Sequence, residues 1–277
     1  MSPAPEWLAP RALEEALALK AERGEDATVL AGGTFLGILV NQGLIRPSCF
    51  LSLRDVGALA GIDANGELRL GAMTRHRAVE RSRAVRDGWP ALADAFALVA
   101  SPRVRNQATV GGVLADADYA SDPPAILCAL GARALLRSAR GERELPVVEL
   151  ITGYYETALE PDELLVEVRV PPREGPAVYR KFRSRSHEDR PCVSVAAALR
   201  RDGLQVVVGA VAGRPQHFPE VCALAGGGLD GEVAREIAAR YADAIEPIGD
   251  VRGSAAYRRR VIAVEVRRAL EQLAGAA

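Results

Sequence analysis

The sequence predicts a mixed α+β protein made of two or three compact units. Its 277 residues exceed the length of one average domain. Segments with helical and with strand periodicity alternate along most of the chain. After Pro171, Pro172 and Gly175 the pattern changes to a hairpin followed by two helices, so this proline- and glycine-containing segment is the best candidate for a linker.

Composition and charge argue against nucleic-acid binding and against a membrane location. The 35 Lys and Arg residues nearly balance the 36 Asp and Glu residues, which gives a formal net charge of −1. No apolar stretch approaches the ~20 residues of a membrane span. The N-terminal residues lack the basic and apolar regions of a secretory signal. We therefore expect a cytoplasmic protein that binds no nucleic acid and does not span a membrane.

The cysteines and histidines do not indicate a metal centre. None of the four cysteines lies in a C-x-x-C pair, and the histidines are equally dispersed. The sequence therefore predicts neither a zinc site nor an iron–sulfur cluster in this chain. These residues are Cys49, Cys128, Cys192 and Cys222, with His76, His187 and His217.

The first 55 residues predict a helix followed by a β-turn-α-β unit. Apolar positions between Leu13 and Lys20 recur at helical spacing, and Gly24 is typical of the residue that follows a helix. The strand "ATVLA", the short helix "TFLGILVNQG" and the strand "CFLSL" then make up a compact unit over residues 27–53.

The next segment contains a predicted hairpin and several predicted helices. Asn65-Gly66 suits a two-residue hairpin turn, and Thr74 is the expected N-cap of the helix that follows. The segment "WPALADAFALVAS" predicts another helix. Ser121 or Asp122 can cap a later helix whose first turn contains two prolines.

The remaining elements follow from alternation and turn signals. Alternation of valine with charged residues in "ELLVEVRVPP" predicts a half-buried strand. Beyond the linker we predict a hairpin about Asp202-Gly203 and two helices, near residues 230–245 and 254–273, the second capped by Ser254.

Two glycine pairs are the strongest candidate binding features. The first lies in "TVLAGGTFLG", at a strand-to-helix turn where unpaired N–H groups attract an anion. The second lies in "TVGG", in what reads as a long loop, and we expect it to add further accessible donors. With Asp122 placed to meet sugar hydroxyls, the two pairs favour a dinucleotide over two simple tight turns. The first glycine loop, "LAGGTFLGI", does not contain G-x-G-x-x-G, no acidic residue ends the next strand, and the chain has no P-loop lysine, so a site of the Rossmann type is not predicted.

Four segments together resemble the FAD-binding medium subunit of molybdenum hydroxylases, the family of xanthine dehydrogenase and aerobic carbon monoxide dehydrogenase. They are "LAGGTFLGILVNQGLIRPSCFLSL", "LRLGAMTRHRAVERS", "PALADAFALVASPRVRNQATVGGVLADADYASDPPAILCALGA" and "LEPDELLVEVRVPP". The resemblance implies an FAD-binding domain over residues 1–173 of the type found in vanillyl-alcohol oxidase, with subdomains of about 1–55 and 56–173. It also implies a C-terminal α/β domain over residues 175–277, with antiparallel strands and helices.

The resemblance also implies which residues contact FAD. The two glycine loops would hold the diphosphate, Asp122 would bond FAD hydroxyls, Leu164 or Leu165 would pack near the isoalloxazine ring, and Lys181 would lie near the flavin. The loop residues that match the family are Leu30, Ala31, Gly32, Gly33, Thr34 and Phe35 in the first and Thr109, Gly111 and Gly112 in the second.

This chain departs from the family pattern at two positions near the implied site. Val113 stands where many members have asparagine, so one side-chain contact to the cofactor is lost while the backbone donors remain. Arg190 stands where many members have an aromatic residue, which leaves open what shields that face of the flavin.

By resemblance, the function is electron transfer within a larger complex. A large partner with a molybdenum cofactor would hydroxylate the substrate, and a small partner with two [2Fe–2S] clusters would pass electrons to FAD in this chain, in a dimer of heterotrimers. Two alternatives stay open: a free-standing FAD-dependent oxidoreductase, and a scaffold subunit that has lost FAD.

Overall fold

A computed structural model describes residues 4–276, and its N-terminal unit is a small parallel sheet flanked by helices. The strand order is β1-β3-β2, with both neighbouring pairs parallel. The predicted helix and β-turn-α-β unit are confirmed, whereas β1 was not predicted because three residues show no periodicity. The elements are β1 (Glu6–Leu8), α1 (Leu13–Arg23), β2 (Ala27–Leu30), α2 (Leu36–Asn41) and β3 (Cys49–Ser52), with 3₁₀ turns at Gly24–Asp26 and Gly57–Leu59.

A five-stranded antiparallel sheet forms the second unit, with helices packed against it. Its strand order is β4-β5-β10-β6-β7, and β8 and β9 form a separate pair. The strands are β4 (Ile62–Asp63), β5 (Leu68–Gly71), β6 (Arg133–Ser138), β7 (Gly141–Pro146), β8 (Ile151–Gly153), β9 (Glu156–Thr157) and β10 (Leu164–Val170). The helices are α3 (His76–Arg81), α4 (Arg83–Gly88), α5 (Pro90–Ala97), α6 (Pro102–Arg105), α7 (Val110–Ala115), α8 (Pro123–Ala129) and α9 (Val147–Leu150).

The hairpin between β4 and β5 exists, but its turn differs from the prediction. Asp63 pairs with Arg69, so the connection is longer than the two-residue turn expected at Asn65-Gly66. Only Gly66 of that dipeptide has a positive φ, at 94°. The Asp63 carboxylate accepts the Asn65 N–H at 3.0 Å, which shapes the longer loop in place of a tight turn.

The expected helix cap at Thr74 is wrong. Helix α3 begins at His76, and no side chain caps its first turn. The Thr74 hydroxyl instead accepts the N–H of Gly61 at 2.9 Å and donates to its carbonyl at 2.7 Å. The hydroxyl therefore binds the backbone of Gly61, which is distant in sequence, and does not cap the helix.

The third unit is a four-stranded antiparallel sheet in the order β11-β12-β13-β14, followed by helices. The predicted hairpin, both long helices and the Ser254 cap are confirmed. The elements are β11 (Ala177–Phe182), β12 (Val193–Arg200), β13 (Gly203–Gly209), β14 (Gln216–His217), α10 (Pro219–Cys222), α11 (Gly231–Ala244) and α12 (Ala255–Ala274), with a 3₁₀ turn at Ala223–Gly227.

Both faces of this last sheet are buried. Val193 and Val195 on β12 pack in the core formed with α11 and α12. Ala196 and Ala198, on the opposite face of the same strand, pack in the core of the second unit, where α8 contacts β12 and β13. The C-terminal unit is thus fused to the second unit through a shared apolar layer.

A buried ion pair crosses that junction. Asp122, immediately before α8, accepts the Tyr179 hydroxyl at 2.7 Å and the Lys181 ammonium at 2.8 Å on its two oxygens. Lys181 also donates to the Leu98 carbonyl at 2.9 Å. The two charged side chains are only 1% and 4% exposed. Burial raises the pKa of Asp122 against the opposing effect of Lys181, and burial lowers the pKa of Lys181.

We expect Asp122→Ala to lower the free energy of unfolding of the flavin-free protein by about 3 kcal/mol, because it removes the counter-charge of a buried ammonium and the carboxylate that accepts a buried hydroxyl. Urea denaturation measures this change. Adding Lys181→Met should recover part of the loss, since no unpaired buried charge remains.

The matched control is an exposed pair. Glu236→Ala removes the partner of Arg240, whose side chain is 56% exposed, and should cost less than about 0.5 kcal/mol. A double variant no more stable than Asp122→Ala alone would contradict this account of the junction.

Candidate functional site

A cavity of about 340 Å³ lies where the two glycine loops, β10 and β11 meet. Of the residues expected to contact FAD, all but Leu30 line it; Leu30 lies beneath the first loop, against Gly33. The lining residues among them are Ala31, Gly32, Gly33, Thr34, Phe35, Thr109, Gly111, Gly112, Asp122, Leu164, Leu165 and Lys181.

The first glycine loop offers unused backbone donors. Within residues 4–276, no hydrogen bond takes up the N–H groups of Gly32, Gly33, Thr34 or Phe35. Gly33 has a φ of +67°, which disfavours other residues. A Cβ at Gly32 would lie 2.2 Å from the carbonyl oxygen of Gln107, so this glycine is also required where the two loops touch. The loop is therefore a turn that requires glycine and a row of unpaired N–H groups in residues that line the cavity.

The second glycine pair differs from the expectation of a long loop with accessible donors. It lies in the first turn of α7, which Thr109 caps by accepting the Gly112 N–H at 3.1 Å. The Gly111 N–H donates to the Ala72 carbonyl at 2.8 Å. A Cβ at Gly111 would lie 2.6 Å from the Ala72 Cβ. The donors are thus already used, and the second pair contributes a bare backbone surface and close packing instead.

The cavity has an apolar wall and a buried cation. Leu164 and Leu165, both buried, come from the start of β10, where pairing with β6 is irregular between Leu165 and Glu167. Lys181 enters from β11 and is fixed by Asp122 as described above. These side chains come from segments that are distant in the sequence, and all of them line the cavity.

The chain has only two lysines, Lys20 and Lys181, and the structure buries both. Lys20 closes the end of α1 by donating to the carbonyls of Gly24 and Ala27 at 2.6 and 3.1 Å.

An aromatic and cationic stack stands at the edge of the cavity. The rings of Phe35 and Tyr155 are parallel within 6°, with centroids 5.7 Å apart. The Arg190 guanidinium lies 5.6 Å above the Phe35 ring and pairs with Asp118. Tyr155, with a φ of +57°, is held by donating its N–H to Ala117. Phe35 therefore supplies an aromatic ring beside the position where Arg190 departs from the family pattern.

Sequence reasoning missed several further polar residues of the cavity, among them His76, Asp116 and Asp118. His76 is 1% exposed, and its Nε2 lies 3.1 Å from the Thr109 carbonyl oxygen. Burial lowers the pKa of His76 to about 4, so the ring is neutral and supports the second loop. Burial raises the pKa of Asp116 to about 7, Asp118 adds to this effect, and Arg190 opposes it. No motif or spacing marks these residues, because the cavity that they line forms only when distant segments pack together.

This arrangement fits an anionic dinucleotide with an apolar ring system. Free N–H groups suit phosphate oxygens, the glycines leave space for close approach, and the leucines and Lys181 suit a flat, electron-accepting ring. Between residues 4 and 276 no group of histidine, cysteine, aspartate and glutamate side chains is arranged to hold a metal ion. None of the helices described there has the length and apolar character needed to cross a membrane.

Comparisons with known proteins agree with this arrangement. Residues 3–173 match the family described as FAD binding domain in molybdopterin dehydrogenase. Residues 177–273 match the family described as CO dehydrogenase flavoprotein C-terminal domain.

Similar proteins extend over nearly the whole chain. The carbon monoxide dehydrogenase medium chain of Afipia carboxidovorans is 34% identical, and the match spans 95% of this chain and 94% of that protein. The 6-hydroxypseudooxynicotine dehydrogenase complex subunit alpha of Paenarthrobacter nicotinovorans is 33% identical, and the match spans 97% of this chain and 94% of that protein.

A solved structure confirms the predicted α+β fold class. Reconstituted CO dehydrogenase from Oligotropha carboxidovorans contains a chain that matches with a TM-score of 0.93 at 30% identity, and all of both chains is covered. This chain therefore belongs to the family of FAD-binding medium subunits of molybdenum hydroxylases, which are oxidoreductases.

Proposed function

We propose that this chain is the electron-transfer subunit of a heteromeric molybdenum hydroxylase, taking electrons from two [2Fe–2S] clusters of a small subunit and passing them to an external acceptor. The observation that carries the proposal is the cavity in which free backbone donors, an apolar wall and a buried ammonium converge. Similar proteins include a nicotine 6-hydroxylase medium subunit, 32% identical over 97% of this chain.

The other cofactors belong, in this proposal, to partner subunits. A large subunit would hold the molybdenum cofactor and a small subunit both iron–sulfur clusters, in a dimer of heterotrimers. The four free cysteines of this chain are dispersed and cannot together ligate a cluster. Unpaired cysteines persist in a reducing compartment, and we assign the complex to the cytoplasm.

We also propose that the chain divides into an FAD-binding domain over residues 1–173, with subdomains of about 1–55 and 56–173, and a C-terminal domain over 175–277. Three observations support this division. Each part has its own sheet, and β10 is the last strand in sequence order of the five-stranded sheet. The proline-containing connection between β10 and β11 belongs to no helix or strand.

The lining residues would bind different parts of the cofactor. The N–H groups from Gly32 to Phe35 would bind the diphosphate, while Gly111 and Gly112 would allow it close approach. Leu164 or Leu165 would pack against the ring system. When bound, FAD supplies the redox chemistry, and the protein contributes binding, orientation and charge.

Asp122 would have two roles: it holds Lys181 in place, and it would bind a hydroxyl of the cofactor. Each of its oxygens already accepts one hydrogen bond, from Tyr179 or from Lys181. A carboxylate oxygen can accept a second bond, so a hydroxyl of the cofactor can still be bound. Its first task is to hold Lys181 in the cavity, where a positive charge favours electron uptake by a flavin.

The two rival functions are less well supported. A free-standing oxidoreductase needs its own substrate pocket, yet both faces of the C-terminal sheet are covered. A scaffold that had lost FAD would have no use for the unpaired donors or for a lysine ammonium buried beside the cavity.

The test of the proposed function is to purify the complex natively and count flavin, molybdenum and iron on each separated chain. We expect one FAD on this chain and the metals on its partners, with substrate bleaching the flavin absorbance. FAD-dependent turnover by this chain alone would support the free-standing enzyme, and a chain without flavin would support the scaffold.

We expect Gly33→Val to abolish FAD binding, because valine is strained at this positive φ and the loop must shift, which displaces the donors of residues 32–35. Flavin content after gel filtration is the readout. Gly43→Val is the matched control: Gly43 has a φ of +70°, close to the +67° of Gly33, but it does not line the cavity. Loss of flavin from both variants would attribute the effect to backbone strain alone.

We expect Lys181→Met to lower the midpoint potential of the bound flavin, because a cation beside the flavin favours its reduced form. The expected fall is about 30 mV, which is ~1.4 kcal/mol for a two-electron couple. Spectroelectrochemical titration measures it. Arg185→Gln, which removes an exposed cation from the loop after β11, should leave the potential unchanged. Equal shifts in both variants would refute a specific effect of Lys181.

A further inference from the structure

Asp116 is a carboxyl group that lines the cavity without a partner in the protein. It ends α7, where its N–H donates to the Gly112 carbonyl at 2.9 Å. Within residues 4–276 its side chain takes part in no hydrogen bond or ion pair. Asp118, two residues later, is occupied by Arg190 and by the Ala120 N–H.

Asp116 has no cation of its own, because the nearest one, the guanidinium of Arg190, is paired with Asp118. Two carboxyl groups, Asp116 and Asp118, lie near the guanidinium of Arg190, which is paired with Asp118. The other ionisable groups that line the cavity are His76, Asp122 with Lys181, Glu163 with its partner Arg143, and the exposed Glu188. Tyr155 also lies near Asp118 and Arg190. The group of Asp116, Asp118 and Arg190 is neutral only when one carboxyl group carries a proton.

A proton on Asp116 at neutral pH is consistent with its surroundings. Burial and the nearby Asp118 raise the pKa of Asp116 to about 7, although Arg190 opposes this. Val113, one helical turn earlier, also lines the cavity but offers no polar group. Asp116 is therefore the polar side chain that α7 presents to a bound molecule.

We propose that Asp116 binds the cofactor in its protonated form, so that each FAD bound above neutral pH takes up one proton from solvent. The inference rests on the proposed function, in which FAD occupies this cavity. The diphosphate brings negative charge into a partly desolvated space, where an ionised carboxylate repels it. A protonated carboxyl removes that repulsion and can donate a hydrogen bond to an oxygen of the cofactor.

The proposal fixes the sign of the pH dependence. In the flavin-free chain Asp116 loses its proton as the pH rises through about 7. In the bound state the proton is retained, so affinity is complete below this range and falls as the pH rises above it. For uptake of one proton, the Kd for FAD should rise about 30-fold between about pH 6 and about pH 8.5.

The experiment is a fluorescence titration of the flavin-free full chain with FAD across this pH range, with proton uptake measured by calorimetry in two buffers. Asp116→Asn keeps a neutral hydrogen-bonding group and should bind FAD about as tightly as the wild type at low pH, with a nearly constant Kd. His187→Gln removes an exposed imidazole from the loop that carries Arg190 and should keep the full pH dependence.

Three results would overturn the inference: a wild-type Kd that is independent of pH, an Asp116→Asn variant that keeps the 30-fold change, or a folded Asp116→Asn variant that binds FAD at least tenfold more weakly at low pH. In each of these cases the chain still binds FAD, so the proposed function survives. A wild-type chain that binds no FAD at any pH would contradict the proposed function as well.

Discussion

The ion pair between Asp122 and Lys181 is the interaction on which the architecture of the site depends. It joins the residue before α8 to a strand of the C-terminal sheet, and Tyr179 completes it from the same strand. A buried charge is tolerated only when it is paired and hydrogen-bonded, so each partner fixes the position of the other. The second unit and the C-terminal unit therefore close over the cavity with an ammonium group held inside it.

The two glycine loops contribute different features to the cavity. Gly33 gives the first loop its left-handed turn, which leaves a row of N–H groups free. Gly111 lets the start of α7 press against Ala72, and its own N–H is consumed in doing so. One loop provides donors and the other provides shape, and Gly32 lets them meet at the carbonyl of Gln107. Similar sequence patterns thus have unequal roles in binding.

Periodicity and capping signals were enough to predict the long helices, the β12–β13 hairpin and β10, because these depend on residues close in sequence, whereas β1 and the hairpin of β6 and β7 were not predicted. The failures occurred where a distant group decided the outcome: Gly61 took the hydroxyl of Thr74, and Ala72 took the N–H of Gly111. Asp116 was missed for the same reason, since its burial and its proximity to Arg190 depend on segments far along the chain.

Amide hydrogen–deuterium exchange on the full chain, with and without FAD, tests the central claim most directly, namely that the first loop binds the diphosphate through its backbone. Free N–H groups exchange quickly, whereas bonded ones are protected. The account predicts rapid exchange at residues 32–35 without FAD and strong protection with it, while Gly111 and Gly112, already hydrogen-bonded, change little. Exchange at residues 32–35 that is unaffected by bound FAD would contradict the account.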